Sequence, residues 1–382
     1  MNQNIRNPRI LVRGVNWLGD AVMSTPALLR LRESRPDAHI TLLTQEKLAD
    51  LWQGHPALNA ALTFAARESL WSVARRLREG NFQTALALPN SLRCALELWL
   101  ARIPQRIGFS SPGRNWFFTQ RVPARAGFVK MRKRSIAEIN RLTAPDSSDA
   151  STAARRAQPP DAAHHLHHYL HLAAALGANP EPLPPFLAVT REEVEAVQRK
   201  FSLGADAPWF GLNPGAEYGP AKRWLPDRFL AAAIETQKQS NCRWLILGGP
   251  ADAALATGLA QGLSGAFPSA PPMNLAGKTT LRELCALLKR CRVLLTNDTG
   301  PMHVAAAVGT PVVALFGSTS PQLTGPGLPG EPRHRLLHST AACSPCFRRE
   351  CPIDFRCMTA ISVERVVTTI LENFPLGEPK PK

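Results

Sequence analysis

Residues 293–320 read VLLTNDTGPMHVAAAVGTPVVALFGSTS. The apolar run 293–297 has the length of a buried strand, and Asp298, Thr299 and Gly300 form a bend after it. Pro301, Met302 and His303 then open a helix, which Gly309 and Thr310 end before a second apolar strand over 312–316. Strand, helix and strand in this order define a βαβ unit on a parallel sheet. The start of such a helix carries free N–H groups and a positive partial charge, which suit an anion such as a diphosphate. Gly317, Ser318, Thr319 and Ser320 offer a similar amide-rich edge. His303 lies one turn into the helix and faces the same mouth; standing alone it would be read as a structural histidine.

The same alternation extends outward from this stretch. Apolar runs at 10–12, 40–43, 85–88, 209–213 and 244–247 read as strands, with helical patterns such as 27–35 and 191–201 between or beside them. Residues 104–134 read as a basic loop, and 145–162, rich in Pro, Ser, Asp and Ala, as a mobile insertion. A helix is expected over 164–176. The Pro-rich stretch 179–185 sets the expected boundary between a domain over 1–185 and another over 186–360, followed by a helix and tail over 361–382. The pattern predicts an α/β protein of two Rossmann-like, doubly wound domains facing each other across a cleft. Ligands of such sheets sit beyond the carboxyl ends of the strands.

Charge narrows the class of partner. The chain has 382 residues, with 45 Lys and Arg against 29 Asp and Glu, a formal charge of +16. That excess points to a polyanion: nucleic acid, an anionic membrane surface or a phosphate-bearing substrate. No run approaches the roughly 20 apolar residues of a membrane span. The polar start of the chain has no apolar signal region, and eight cysteines do not make a secreted disulfide scaffold. The expected location is cytoplasmic, or peripheral on the inner face of the inner membrane.

Two further turns carry chemistry. Residues 13–20, RGVNWLGD, lack both the G-x-G-x-x-G fingerprint and the Lys-Ser/Thr pair of a phosphate-binding P-loop. They place Asp20 at a strand-to-helix turn, where spacing alone favours a helix-capping role. Residues 213–224, NPGAEYGPAKRW, combine permissive backbone at Asn213 and Gly215 with the cations Lys222 and Arg223, a loop suited to phosphate.

These segments together resemble the lipopolysaccharide heptosyltransferases, glycosyltransferase family 9 of the GT-B fold, and within it the heptosyltransferase II branch. The resemblance rests on ILVRGVNWLGDAVMSTPAL at 10–28, PNSLRCAL at 89–96, NPGAEYGPAKRW, NDTGPMHVAAAVGTPVVALFGSTSP and CSPCFRRECPIDFRCM at 343–358. It implies inverting transfer of L-glycero-D-manno-heptose from ADP-heptose to the first heptose of the inner core, on a phosphorylated lipid A–core acceptor. It implies Asp20 as catalytic base and Lys222 as the cation facing the departing diphosphate. Asn213, Gly215, Asp298, Thr299, Gly300 and His303 would bind the donor, and Asn16, Trp17, Asn90, Arg93 and Arg114 the acceptor. No cofactor is implied. The family works without a metal, and the chain has no Asp-x-Asp pair of the kind that would hold one. Heptosyltransferases I and III are alternatives on the same fold. A nucleic-acid-binding protein, suggested by charge alone, would need aromatic–basic interleaving or a helix-turn-helix, and neither is present.

Two clusters stand apart. Cys343, Cys346, Cys351 and Cys357 number the four thiols of a closed structural zinc or iron–sulfur site. Their spacing departs from the usual two-knuckle pattern, which favours reduced, buried thiols. His164, His165, His167, His168 and His171 resemble a metal tract, but a solvated helix is the simpler expectation.

Overall fold

The structure, a computed structural model, describes residues 7–144, 159–204 and 207–373. The expected insertion therefore lies mostly outside the described residues, as does the tail beyond 373. At the insertion's end, Asp161–Ala163 form one short 3-10 turn.

The chain divides into two compact units, one built from 1–128 with 165–188 and the other from 129–164 with 189–382. This partition differs from the expected single boundary at 185/186 in giving 129–164 to the second unit.

In the first unit the elements run β1 (Arg9–Arg13), α1 (Leu18–Met23), α2 (Thr25–Ser34), β2 (His39–Gln45), β3 (Ala60–Phe64), α3 (Leu70–Glu79), β4 (Thr84–Ala87), α4 (Leu92–Leu100), β5 (Gln105–Phe109) and β6 (Gln120–Val122). After α5 (Ile136–Thr143), which belongs to the second unit, α6 (Leu166–Ala174) returns to the first. All strand pairs are parallel, in the order β3-β2-β1-β4-β5-β6. A parallel sheet covered on both faces demands near-continuous apolar strands, and β1 and β2 meet that demand with Ile10, Leu11, Val12, Ile40 and Leu42 all buried. Leu11, Leu43, Phe64, Val73, Leu77, Ala95 and Leu98 form one core between sheet and helices.

The second unit follows with α7 (Arg191–Lys200), β7 (Trp209–Asn213), α8 (Pro226–Ser240), β8 (Arg243–Ile246), α9 (Ala253–Ala266), β9 (Met273–Asn274), α10 (Leu281–Arg290), β10 (Leu294–Asn297), α11 (Gly300–Ala307), β11 (Val312–Phe316), α12 (Pro321–Thr324), β12 (Arg335–His338), α13 (Arg356–Thr359) and α14 (Val363–Asn373). Its sheet is again all parallel, in the order β12-β11-β10-β7-β8-β9. Trp244, Phe210, Phe229, Val313 and Leu315 fill its core, and Val366, Val367 and Ile370 of α14 pack into the same cluster.

The sequence reading needs correction at the sheet margins. Residues 104–134, read as a loop, contain β5 and β6. Edge strands β3, β9 and β12 also escaped it. These strands are short and carry polar or half-exposed residues, so they lack the buried apolar run that marks the centre.

One buried charge pair ties the first sheet to its helices. Arg13 at the end of β1 donates through Nε to Glu97 Oε2 at 2.8 Å, and both side chains are at most 2% exposed. Arg93 binds the other carboxylate oxygen at 2.9 Å, and the Arg13 guanidinium lies 4.3 Å from the centre of the Phe64 ring. Removing one partner of such a pair leaves an uncompensated buried charge, whereas replacing both by apolar residues is often tolerated. Glu97→Leu should therefore lower the unfolding free energy by about 3–5 kcal/mol. Arg13→Met added to it should recover part of the loss, both read by urea denaturation.

Candidate functional site

In each sheet the strand order reverses between two central neighbours, β1 and β4 in the first unit and β7 and β10 in the second. Ligands of open α/β sheets bind beyond the carboxyl ends of such a pair. The loops that leave β1, β4, β7 and β10 are those carrying the sequence-predicted residues.

After β1, the Gly14 amide donates to Leu43 O at 2.9 Å. Arg13 donates to Gly14 O at 2.5 Å and to Asn16 Oδ1 at 3.2 Å. The buried guanidinium thus fixes the loop presenting Asn16 and Trp17. Trp17, 44% exposed, immediately precedes α1 with Lys47 Nζ 5.5 Å from its ring centre. Asp20 is the third residue of α1, and no side-chain cap bond is made at this helix start, so the capping role favoured by spacing is not observed. Its carboxylate, 30% exposed, points elsewhere: Oδ1 accepts from the Tyr169 hydroxyl at 3.0 Å, with His165 Nε2 at 3.6 Å. His165 Nε2 lies 3.1 Å from the same hydroxyl.

The loop after β4 places Asn90 beside Arg114, whose guanidinium donates to Asn90 Oδ1 at 3.0 Å. Arg114 is buried, and desolvation lowers its pKa from the usual guanidinium range. Arg93 is held inward by Glu97 and by Glu68 O, the latter at 2.6 Å. Of the five predicted acceptor residues, Trp17 and Asn90 are the exposed ones.

In the second unit, the loop after β7 carries Lys222. Its ammonium donates to Asp298 Oδ2 at 2.6 Å and lies 5.0 Å from the centre of the Tyr218 ring. Thr319, from the loop after β11, donates to the same Asp298 oxygen at 2.6 Å. Lys222, Asp298 and Thr319 thus form one network across three strand ends. Asn297 props the loop from below: its side chain accepts from Trp224 N at 3.0 Å and donates to Pro214 O at 2.8 Å. Asn213 donates to Thr296 Oγ1 at 3.1 Å between β7 and β10. Gly215 approaches the Asp252 carboxylate so closely that a Cβ there would lie 2.3 Å from it. Thr299 precedes α11 and Gly300 is its first residue, one position earlier than the expected Pro301 start. Thr299 makes no side-chain cap bond. His303 is buried in the first turns of α11. The structure therefore brings together the predicted donor residues around β7, β10 and β11, with Thr319 and Tyr218 added.

The four clustered cysteines line one small cavity with Ile139, Ile353 and Arg356. Among the described residues, no three His, Cys, Asp or Glu side chains converge as metal ligands. Burial raises the thiols of Cys343 and Cys346 above their ordinary value and pushes Cys357 up to about 12. The segment also buttresses the Lys222 loop: Ala221 N donates to Arg349 O at 2.9 Å, and the Tyr218 hydroxyl to Phe347 O at 3.0 Å. Gly219, at φ 150°, passes so close to this segment that a Cβ would lie 2.6 Å from Arg349 O. Nothing in the composition of 343–357 signals this supporting role.

The histidine tract is not a solvated face. His164 and His168 are buried, and His168 stacks on Phe109 with ring centres 3.8 Å apart. His171 is within 3.1 Å of Pro123 O. Leu166, His168, Tyr169, Leu170, Leu172 and Ala173 of α6 are all buried, so an imidazole is packed among mostly apolar side chains; the tract's polarity hid this packing. Tyr169 and His165, beside Asp20, were missed for a related reason. Only the fold brings α6 to α1.

Comparisons with known proteins bear on the family and the fold. Residues 144–355 match the family described as glycosyltransferase family 9 (heptosyltransferase). The chain is 30% identical to lipopolysaccharide heptosyltransferase 2 of Escherichia coli K12, over 83% of its own length and 85% of that protein's. It is 26% identical to lipopolysaccharide heptosyltransferase 3 of the same strain, over 80% of this chain and 81% of that one. The solved structure of E. coli ADP-heptose LPS heptosyltransferase II superposes with a TM-score of 0.74 at 26% identity, covering 96% of this chain and 98% of that one. Two such sheets, each with polar loops at its switch point, are the architecture of the GT-B glycosyltransferase structure that this chain matches. The chain belongs to glycosyltransferase family 9, the heptosyltransferases of lipopolysaccharide biosynthesis.

The buried imidazoles give the first unit a titration signature. Desolvation, with the charges of His165, His171 and Arg125, lowers His168 from 6.5 to about 3. An unfolded chain takes up this proton near pH 6.5 and the folded one resists it, so stability is complete above 6.5 and declines as pH falls toward 3. From this residue, unfolding at pH 5 should be easier than at pH 7.5 by about 2 kcal/mol. His168→Phe, which keeps an aromatic ring on Phe109, should shrink the difference between urea midpoints at the two pH values.

Proposed function

We propose that this protein transfers L-glycero-D-manno-heptose from ADP-heptose to the first heptose of the lipopolysaccharide inner core, inverting the anomeric centre without a metal. The observation that carries the reading is the division of charge between the two switch points. A half-exposed carboxylate, Asp20, stands at the first, and a cation, Lys222, on an amide-rich loop at the second. An acceptor bound near Asn16, Trp17 and Asn90 would present its hydroxyl to Asp20. The carboxylate takes the hydroxyl proton as the oxygen's electron pair forms the new bond to the anomeric carbon. The bond from that carbon to the diphosphate breaks, and its electron pair leaves with ADP. Attack on the face opposite the leaving group inverts the centre.

A diphosphate needs no proton to leave, so stabilising charge suffices. Lys222 supplies a cation with three donors, of which Asp298 engages one. The amides at the start of α11 and along the edge after β11 supply further donors. Asp298 and Thr319 hold the ammonium in place, and His303 and Asn213 complete the wall of the site. The basic surface, in a chain of formal charge +16, suits a phosphorylated lipid A–core and an anionic bilayer face rather than nucleic acid. Among the described residues, no helix is long and apolar enough to cross a membrane.

Incubation with ADP-heptose and a mono-heptosylated core acceptor, followed by mass spectrometry, should show addition of a single heptose. Addition to a heptose-free acceptor would instead define a heptosyltransferase I. Asp20→Ala should reduce turnover by about 10²–10⁴-fold while ADP-heptose binding, read by calorimetry, is retained. Turnover at the wild-type rate would remove Asp20 from the role of base.

A further inference from the structure

The group beside Asp20 is a relay of two side chains, Tyr169 of α6 and His165 immediately before that helix, neither belonging to any sequence motif that carries the family resemblance. Tyr169 is 2% exposed, and its hydroxyl oxygen lies 3.0 Å from Asp20 Oδ1. A carboxylate cannot donate, so the single hydroxyl proton points at Asp20. The hydroxyl oxygen retains lone pairs, and His165 Nε2 stands 3.1 Å from it. The nitrogen facing an oxygen that has already given its proton away must itself be the donor, which assigns the Nε2–H tautomer to His165. The order is therefore His165 N–H to Tyr169 oxygen, and Tyr169 O–H to Asp20 Oδ1. Among the described residues, Asp20 Oδ2 makes no hydrogen bond.

We infer that Tyr169 and His165 are positioning residues for the base, holding Oδ1 of Asp20 so that Oδ2 alone faces the acceptor hydroxyl. This rests on the reading of Asp20 as the base. Three observations support it. Asp20 lies on a helix of six residues whose start has no side-chain cap, so α1 itself does little to fix the carboxylate's rotamer. Each ring of the relay is held by further packing: His165 stacks on His168 at 5.3 Å, and His168 on Phe109 at 3.8 Å. The protonation states also agree, because desolvation raises the Tyr169 hydroxyl well above its ordinary value and lowers His165, leaving Tyr169 a donor and His165 neutral. When the acceptor proton arrives at Oδ2, no proton needs to move along the relay. Its work is orientation.

Tyr169→Phe keeps the ring and removes the donor. It should lower kcat about 10-fold, the weight of a hydrogen bond to a charged group, with KM for either substrate within about 2-fold. In an Asp20→Ala background the same change should cost nothing further, since there is no carboxylate to orient. His165→Ala should lower kcat by a smaller factor, and His165→Gln, whose amide can donate to the Tyr169 oxygen, should restore part of it. Wild-type kcat in Tyr169→Phe would overturn the relay while leaving Asp20 as base. So would an equal loss in both backgrounds, which marks a purely structural role. Should Tyr169→Phe not fold, the His165 pair decides: equal rates for Ala and Gln would overturn the proposal. Full turnover by Asp20→Ala would instead remove the base reading, a separate result.

Discussion

The candidate site residues of each unit are arranged around the place where its parallel sheet reverses its winding. A parallel strand needs a crossover connection, and crossovers of one hand place successive helices on one face of the sheet. Where the order turns back, at β1 and β4 and again at β7 and β10, the connections depart to opposite faces and leave the carboxyl ends of the two strands uncovered. Residues there can be polar without interrupting the core. Asp20, Asn90, Lys222 and Asp298 all lie on loops or helix starts that follow these strands.

A loop outside the sheet gains no ladder hydrogen bonds, so its shape has to come from side chains beneath it. In the first unit this is the buried Arg13, whose guanidinium meets Glu97, Gly14 O and the Asn16 side chain together. In the second it is Asn297, whose amide binds backbone on both arms of the loop after β7. Both are buried polar groups whose partners are all protein, the condition under which such groups specify one conformation. Each stands at the last position of its strand.

Legibility in the sequence follows burial. Strands β1, β2, β4, β7, β8, β10 and β11 could be read because both their faces are covered and their apolar runs are unbroken. At the margins β5 shows Gln105 and Arg106 to the reader, and β9 has only two residues, so neither has a pattern to find. The loops after β7 and β10 were legible because their chemistry is local: Asp298, Thr299 and Gly300 are consecutive, and Lys222 closes a glycine-rich run. The surroundings of Asp20 were not, because Tyr169 lies 149 residues away. Glu97 was hidden differently. In an amphipathic helix a carboxylate is expected on the solvent side, yet it is fully buried against Arg13. Arg93 and Arg114, expected from the resemblance to bind the acceptor, are held by Glu97 and Asn90.

The close passage of Gly219 over Arg349 has a consequence for how this enzyme can change. The backbone at 219 has no room for a side chain, and its neighbours Tyr218 and Ala221 bind the carbonyls of Phe347 and Arg349. The glycine-rich loop after β7 and the cysteine-bearing segment are therefore two halves of a single mould, separated in the chain but shaped against each other. Neither half can be lengthened, recombined or transplanted into another scaffold without its counterpart. Divergence in the thiol segment is constrained by the shape of the loop it supports, whatever chemistry its sulfurs have of their own.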